Sequence, residues 1–105
     1  MGKIGIAGAG FAADRVMRGL SAFPDHRVVG AWDPDHERLR AFADHWGVPV
    51  AREVEDFFVG PKRPHLLLNF TAPAGRAEVS RAALEAGLPV WSATPLALDL
   101  EEVRA

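Results

Sequence analysis

The sequence predicts an α/β fold, a three-layer sandwich with helices on both faces of a parallel sheet, and three observations predict it. Short apolar runs alternate with helical patterns along the chain, so each strand is followed by a crossover rather than a hairpin. The first apolar run, Ile4-Gly5-Ile6-Ala7, breaks at Gly8-Ala9-Gly10-Phe11-Ala12-Ala13, a glycine-rich turn that opens a helical pattern. The run Leu66-Leu67-Leu68 is continuously apolar, as expected of a strand covered on both faces.

Each element has a local reason. Lys3 to Ala7 reads as the first strand, and Phe11 to Ala22 as a helix with Val16, Leu20 and Phe23 at helical spacing. Phe23-Pro24-Asp25 ends it. Arg27 to Trp32 is the second strand, after which Asp33-Pro34-Asp35 supplies a cap and a first-turn proline. The helix that follows runs to about Trp46, carries Leu39, Phe42, Ala43 and Trp46 on one face, and stops at Gly47. Val48-Pro49-Val50 is a short third strand, and Val54 to Val59 a weak helix ending at Gly60-Pro61. His65 to Phe70 is the fourth and central strand. Ala74 to Ala86 is a helix stopped by Gly87, and Pro89 to Ser92 the fifth strand. Asp99-Leu100-Glu101-Glu102 forms a capping box that starts a last helix. Right-handed crossovers then give a sheet of about five strands in the order 3-2-1-4-5, a Rossmann-type arrangement.

In such a sheet ligands bind at the carboxyl ends of the strands, where the order reverses between the first and fourth. Three segments lie on that rim: the glycine turn, Asp33, and Asn69-Phe70-Thr71-Ala72-Pro73. Gly8 permits the tight turn, and Gly10 leaves a surface free of side chain where backbone can approach a pyrophosphate. The small Ala13 lets the helix pack closely on the strand. The amides of Phe11, Ala12 and Ala13 at the start of the helix face the phosphates. Asp33, 23 residues beyond Gly10, places a carboxylate where it accepts hydrogen bonds from a ribose 2′-hydroxyl and repels a 2′-phosphate. The pattern points to a dinucleotide ligand, NAD in preference to NADP.

Composition narrows the alternatives. The 105 residues fit one domain, 49% hydrophobic and 25% charged, with a formal net charge of −2. That charge gives no reason to expect nucleic acid or an anionic membrane as partner. The absence of cysteine excludes disulfides and thiolate catalysis and fits a reducing compartment. No apolar run has the length of a membrane span, and a strand starting at Lys3 leaves no room before it for a signal peptide, so the expected location is the cytoplasm. The four histidines, His26, His36, His45 and His65, contain no pair spaced to share a helix face, and no metal site is assigned.

Taken together, the glycine turn, Ala31-Trp32-Asp33-Pro34-Asp35, Thr71-Ala72-Pro73 and Ala83-Leu84-Glu85-Ala86-Gly87-Leu88-Pro89-Val90 resemble the nucleotide-binding domain of the glucose-fructose oxidoreductase and inositol dehydrogenase family. The resemblance covers all 105 residues and implies a second, substrate-binding domain that this sequence does not include. It also implies that the Thr71 segment lies beside the nicotinamide ribose. In that family the fourth-strand exit commonly reads Thr-Pro-Pro-x-x-His, and the fifth strand leads into Glu-Lys-Pro, whose lysine serves acid/base chemistry or orients substrate. Here Arg76 stands at the histidine position and Ala93-Thr94-Pro95 replaces Glu-Lys-Pro. A threonine without an adjacent base is a poor proton acceptor, and positioned acid/base catalysis contributes about 10²- to 10⁴-fold. No residue is therefore assigned a catalytic role, and efficient dehydrogenase activity is not expected of this chain alone. Steady NADH formation with a panel of sugars and polyols would count against that expectation.

Several residues admit two readings. Trp32 either flanks an adenine beside Asp33 or belongs to the core. Arg76 either pairs with a cofactor phosphate or substrate carboxylate, or is a solvated helix residue. Asp35 is better explained as a helix cap than as half of a carboxylate pair. Phe70 and Trp91 lie near the rim of the fourth and fifth strands, where apolar surface suits an interface, so self-association through the fifth-strand side is expected. A non-enzymatic module that senses a nucleotide through oligomerisation is the alternative to an oxidoreductase domain.

Overall fold

The computed structural model describes residues 2–20, 22, 25–59 and 63–92. Four parallel strands, β1 (Gly2–Ala7), β2 (His26–Trp32), β3 (Leu66–Asn69) and β4 (Val90–Ser92), form one sheet in the order β2-β1-β3-β4. Helices α1 (Phe11–Leu20), α2 (His36–Trp46) and α3 (Pro73–Glu85) connect them, with a 3-10 turn over Val54–Phe57 before β3. The expected helix over 54–59 is thus shortened to that turn. The reversal of strand order falls between β1 and β3, as the sequence predicts.

The third strand is corrected. Val48-Pro49-Val50 contributes a single parallel bridge, Val50 to Ala31, on the outer side of β2. Pro49 has no amide to give a ladder; its carbonyl, accepting from Ala31 N at 3.0 Å, and Ala51 N, donating to Ala31 O at 2.8 Å, join the segment to β2. The position is the expected one and the extent is not. A second correction concerns Pro34, which lies outside α2 rather than in its first turn. Asp35 is the N-cap, accepting from the amides of Glu37 and Arg38 at 3.1 and 3.2 Å. At the other end Gly47, with φ 66°, closes α2 in the left-handed conformation.

Two-residue periodicity divides the core between the faces of the sheet. On one face Ile4, Ile6 and Leu68 pack with Ala13 of α1 and Leu39 and Phe42 of α2. On the other, Ala7 and Leu67 pack with Phe57, Val79, Ala83 and Leu88. Ile6 and Leu67 are fully buried, each contributing about 1.5–3 kcal/mol by removal from water. Phe57, 2% exposed, sits where the strands carry no side chain. A Cβ on Gly5 would stand 3.1 Å from its ring, and one on Gly30 3.2 Å. Trp32 is partly buried against this second cluster, which favours the core reading over the adenine one. Trp46 packs on the first cluster and donates its indole N–H to Asp14 Oδ1 at 2.8 Å.

Phe70 and Trp91 meet edge to face at 6.2 Å, Trp91 being 39% exposed. Phe23-Pro24, Gly60-Pro61, Ala93-Thr94-Pro95 and the Asp99–Glu102 capping box lie outside the described residues. No helix among the described residues is long and apolar enough to cross a membrane.

Candidate functional site

The buried polar residues among those described are Asp33, Asn69 and Thr71, and all three lie at the carboxyl rim of the sheet. Burial of a polar group costs free energy unless its hydrogen bonds are made. Three such groups beside one glycine turn therefore mark the place where the fold spends polar burial.

The turn leaves β1 at Ala7 and is held on both sides. Gly8 N donates to Trp32 O at 2.7 Å, and Phe70 N donates to Ala7 O at 2.7 Å, so the ladder continues one step past each neighbouring strand. Gly8 has φ 95°, and a Cβ on it would stand 2.5 Å from the Phe70 carbonyl carbon and 2.7 Å from Thr71 N. The Phe70-Thr71 peptide is pressed flat against the turn, which only glycine permits. Gly10 is different: a Cβ there would meet only Arg38 Nη1, at 3.7 Å. Its missing side chain leaves open space directly before α1, whose first-turn amides have no intrahelical acceptor. Ala12 and Ala13, 5% and 0% exposed, face the core, so the helix lies close on the sheet.

Asp33, 4% exposed, bridges the turn and the start of α2. Its Oδ2 accepts from Ala9 N and its Oδ1 from Asp35 N, both at 2.7 Å. Each oxygen retains a second lone pair, so the carboxylate both braces the turn and remains an acceptor. Asp35 itself is exposed, and the Arg38 amide that it accepts lowers its pKa first, helped by the guanidinium of the same residue at 3.4 Å. A groove of about 540 Å³ opens between α1 and α2 beside the turn, with Gly10, Phe11, Asp14, Arg38 and Trp46 on its walls.

On the opposite side Thr71, 5% exposed, follows β3. Its amide and hydroxyl both donate to Asn69 Oδ1, at 3.2 and 2.6 Å. Ala72 is the exposed N-cap of α3 and Pro73 its first residue. Arg76 is half-buried rather than solvated, its Nε donating to Thr71 O at 3.2 Å. The structure thus brings Gly8, Gly10, Asp33 and Thr71 to one rim, while the Phe11 side chain points outward, 67% exposed. Sequence reasoning placed Asn69 on the rim but gave it no role; its signal was a polar residue ending the apolar run Leu66-Leu67-Leu68. Thr94, the residue at the family's lysine position, lies outside the described residues.

The Gfo/Idh/MocA family model, described as an oxidoreductase family with an NAD-binding Rossmann fold, matches residues 2–105. Among curated proteins the chain has no match. Among solved structures it is similar to biliverdin reductase from Synechocystis sp. PCC 6803 in complex with biliverdin and NADP+, at 29% identity and a TM-score of 0.78, over 91% of this chain and 30% of that one. A putative myo-inositol dehydrogenase from Sinorhizobium meliloti 1021 matches at 23% identity and a TM-score of 0.78, over 99% and 31%. The WlbA dehydrogenase from Chromobactrium violaceum in complex with NADH and UDP-GlcNAcA matches at 20% and 0.78, over 90% and 28%. The chain spans less than a third of each of these proteins.

Proposed function

Because the chain belongs to this oxidoreductase family and forms its NAD(P)-binding Rossmann domain, we propose that it binds NAD(H) across the glycine turn and has no efficient dehydrogenase activity on its own. One observation carries the binding half of the reading: an open Gly10 and the start of α1, whose first-turn amides have no intrahelical acceptor, stand between two buried polar side chains, Asp33 and Asn69. The pyrophosphate lies over Gly10 against those amides. The adenosine ribose takes the β2 side, where the Asp33 carboxylate accepts from a hydroxyl and repels a 2′-phosphate. Arg38, the cation beside Gly10, is ion-paired with Asp35 at 3.4 Å, which reduces its pull on such a phosphate. The second nucleotide lies over β3, beside Thr71, Ala72 and Pro73. When bound, the nicotinamide supplies hydride chemistry; this chain's described residues bind and orient it.

A thermal-shift panel of NAD, NADH, NADP and coenzyme A tests the reading. A ligand at 100 times its dissociation constant stabilises by about 2.7 kcal/mol, which for a domain of this size raises Tm on the order of 10 °C. NAD and NADH are expected to produce that shift and NADP a smaller one. No shift with any of the four contradicts nucleotide binding, and a shift with NADP but not NAD contradicts the part given to Asp33.

A further inference from the structure

Asn69 ends β3 at the rim and is fully buried. Its orientation is fixed by its partners, since a donor can face only the amide oxygen and a carbonyl only the amide nitrogen. Oδ1 accepts the Thr71 amide at 3.2 Å and the Thr71 hydroxyl at 2.6 Å. Nδ2 donates to Arg76 O and to Ser80 Oγ, both at 2.9 Å. All four hydrogen bonds of the amide are therefore made, and Arg76 returns one by donating its Nε to Thr71 O. Ser80 continues the network to Ser92 on β4, Oγ to Oγ at 2.8 Å. An apolar residue would extend the Leu66–Leu68 run with no polar burial at all. The amide instead clamps one peptide, that of Thr71, which is the peptide pressed against Gly8.

We propose that Asn69 is a positioning residue for the half of the dinucleotide that lies over β3: by holding Thr71 at amide and hydroxyl, and tying it through Ser80 to α3 and β4, it fixes the wall against which the second nucleoside docks. The inference rests on the binding reading above. It does not involve the adenosine half, which lies on the β2 side and is braced independently by Asp33 through Ala9 and Asp35. The two halves of the cradle thus have separate supports.

The test compares NADH with ADP, which carries the adenosine and pyrophosphate but no second nucleoside. Affinities of the 105-residue chain for both are measured by calorimetry for the unsubstituted protein, Asn69→Leu and Ser80→Ala. Asn69→Leu is expected to weaken NADH about tenfold, the scale of a lost, well-oriented hydrogen-bonding group, and to leave ADP unchanged. Ser80→Ala, at a half-buried site away from the cradle, removes only the outer support and is expected to weaken NADH about threefold, again sparing ADP. If Asn69→Leu does not fold, Ser80→Ala decides alone. NADH affinity unchanged in the variants that fold, or NADH and ADP weakened by the same factor, overturns the proposal. Failure of the unsubstituted protein to bind either nucleotide overturns the binding reading itself.

Discussion

Gly8 and Gly10 stand two residues apart in one turn and serve opposite ends. Gly8 carries φ 95° and has the Phe70-Thr71 peptide where its Cβ would be, so its demand is on the fold. Gly10 has open space and only Arg38 at 3.7 Å, so under the proposed binding reading its demand is on a ligand. Gly8→Ala is expected to destabilise by about 2–4 kcal/mol, backbone strain and overpacking together, measured by denaturant unfolding. Gly10→Ala is expected to stay within about 0.5 kcal/mol of the parent and to weaken NADH binding at least tenfold. Equal stability losses would contradict that division. The pattern of the turn was legible in the sequence because glycine spacing encodes it directly. Asp33 was legible by position, but its two 2.7 Å bonds to Ala9 and Asp35 were not, since they depend on how closely two loops approach. Asn69 was placed on the rim but given no role, because its partners Arg76 and Ser80 reach it only once α3 has packed on the sheet.

Among the elements, α2 was read correctly from Asp35 to Gly47 because both ends carry local chemical signals, a side-chain acceptor and a left-handed glycine. The proline beside the cap was misassigned for a physical reason. Asp33 Oδ1 accepts Asp35 N, so the chain turns around Pro34 before the helix starts. The third strand was overextended because apolar Val48 and Val50 advertise a strand while Pro49 withholds its donor. The cap at Asp35 has a defined pH dependence. The Arg38 amide, and then its guanidinium, hold the Asp35 carboxyl below its ordinary value. A group with a lowered folded-state pKa contributes stability above its unfolded value, near pH 4, and loses it as pH falls. Asp35→Ala is therefore expected to lower Tm by a few degrees at pH 7. The gap from the parent is expected to narrow below about pH 4. A gap that stays constant from pH 7 to pH 3 would show that the carboxylate charge contributes nothing.

At the scale of the molecule, a parallel sheet with the order β2-β1-β3-β4 carries α1 and α2 on one face and α3 on the other, and leaves a crevice between β1 and β3, where the strand order reverses. The buried polar groups of the described residues gather at that crevice, while both faces of the sheet are closed by apolar packing. Sequence alternation was enough to place the crevice, because strand order follows from crossover handedness. What alternation does not encode is which of the surface grooves takes the ligand. A second groove, of about 520 Å³, lies between α2 and the 50–53 segment, with His36, Arg40, Asp44 and Arg52 on its walls. Amide chemical-shift mapping during an NADH titration separates the two most directly. Binding across the turn predicts the largest shifts at Ala9, Gly10, Phe11, Asp33 and Thr71, with little change at Arg40, Asp44 and Arg52. Shifts concentrated in the second groove, or no saturable shifts at millimolar NADH, would contradict it.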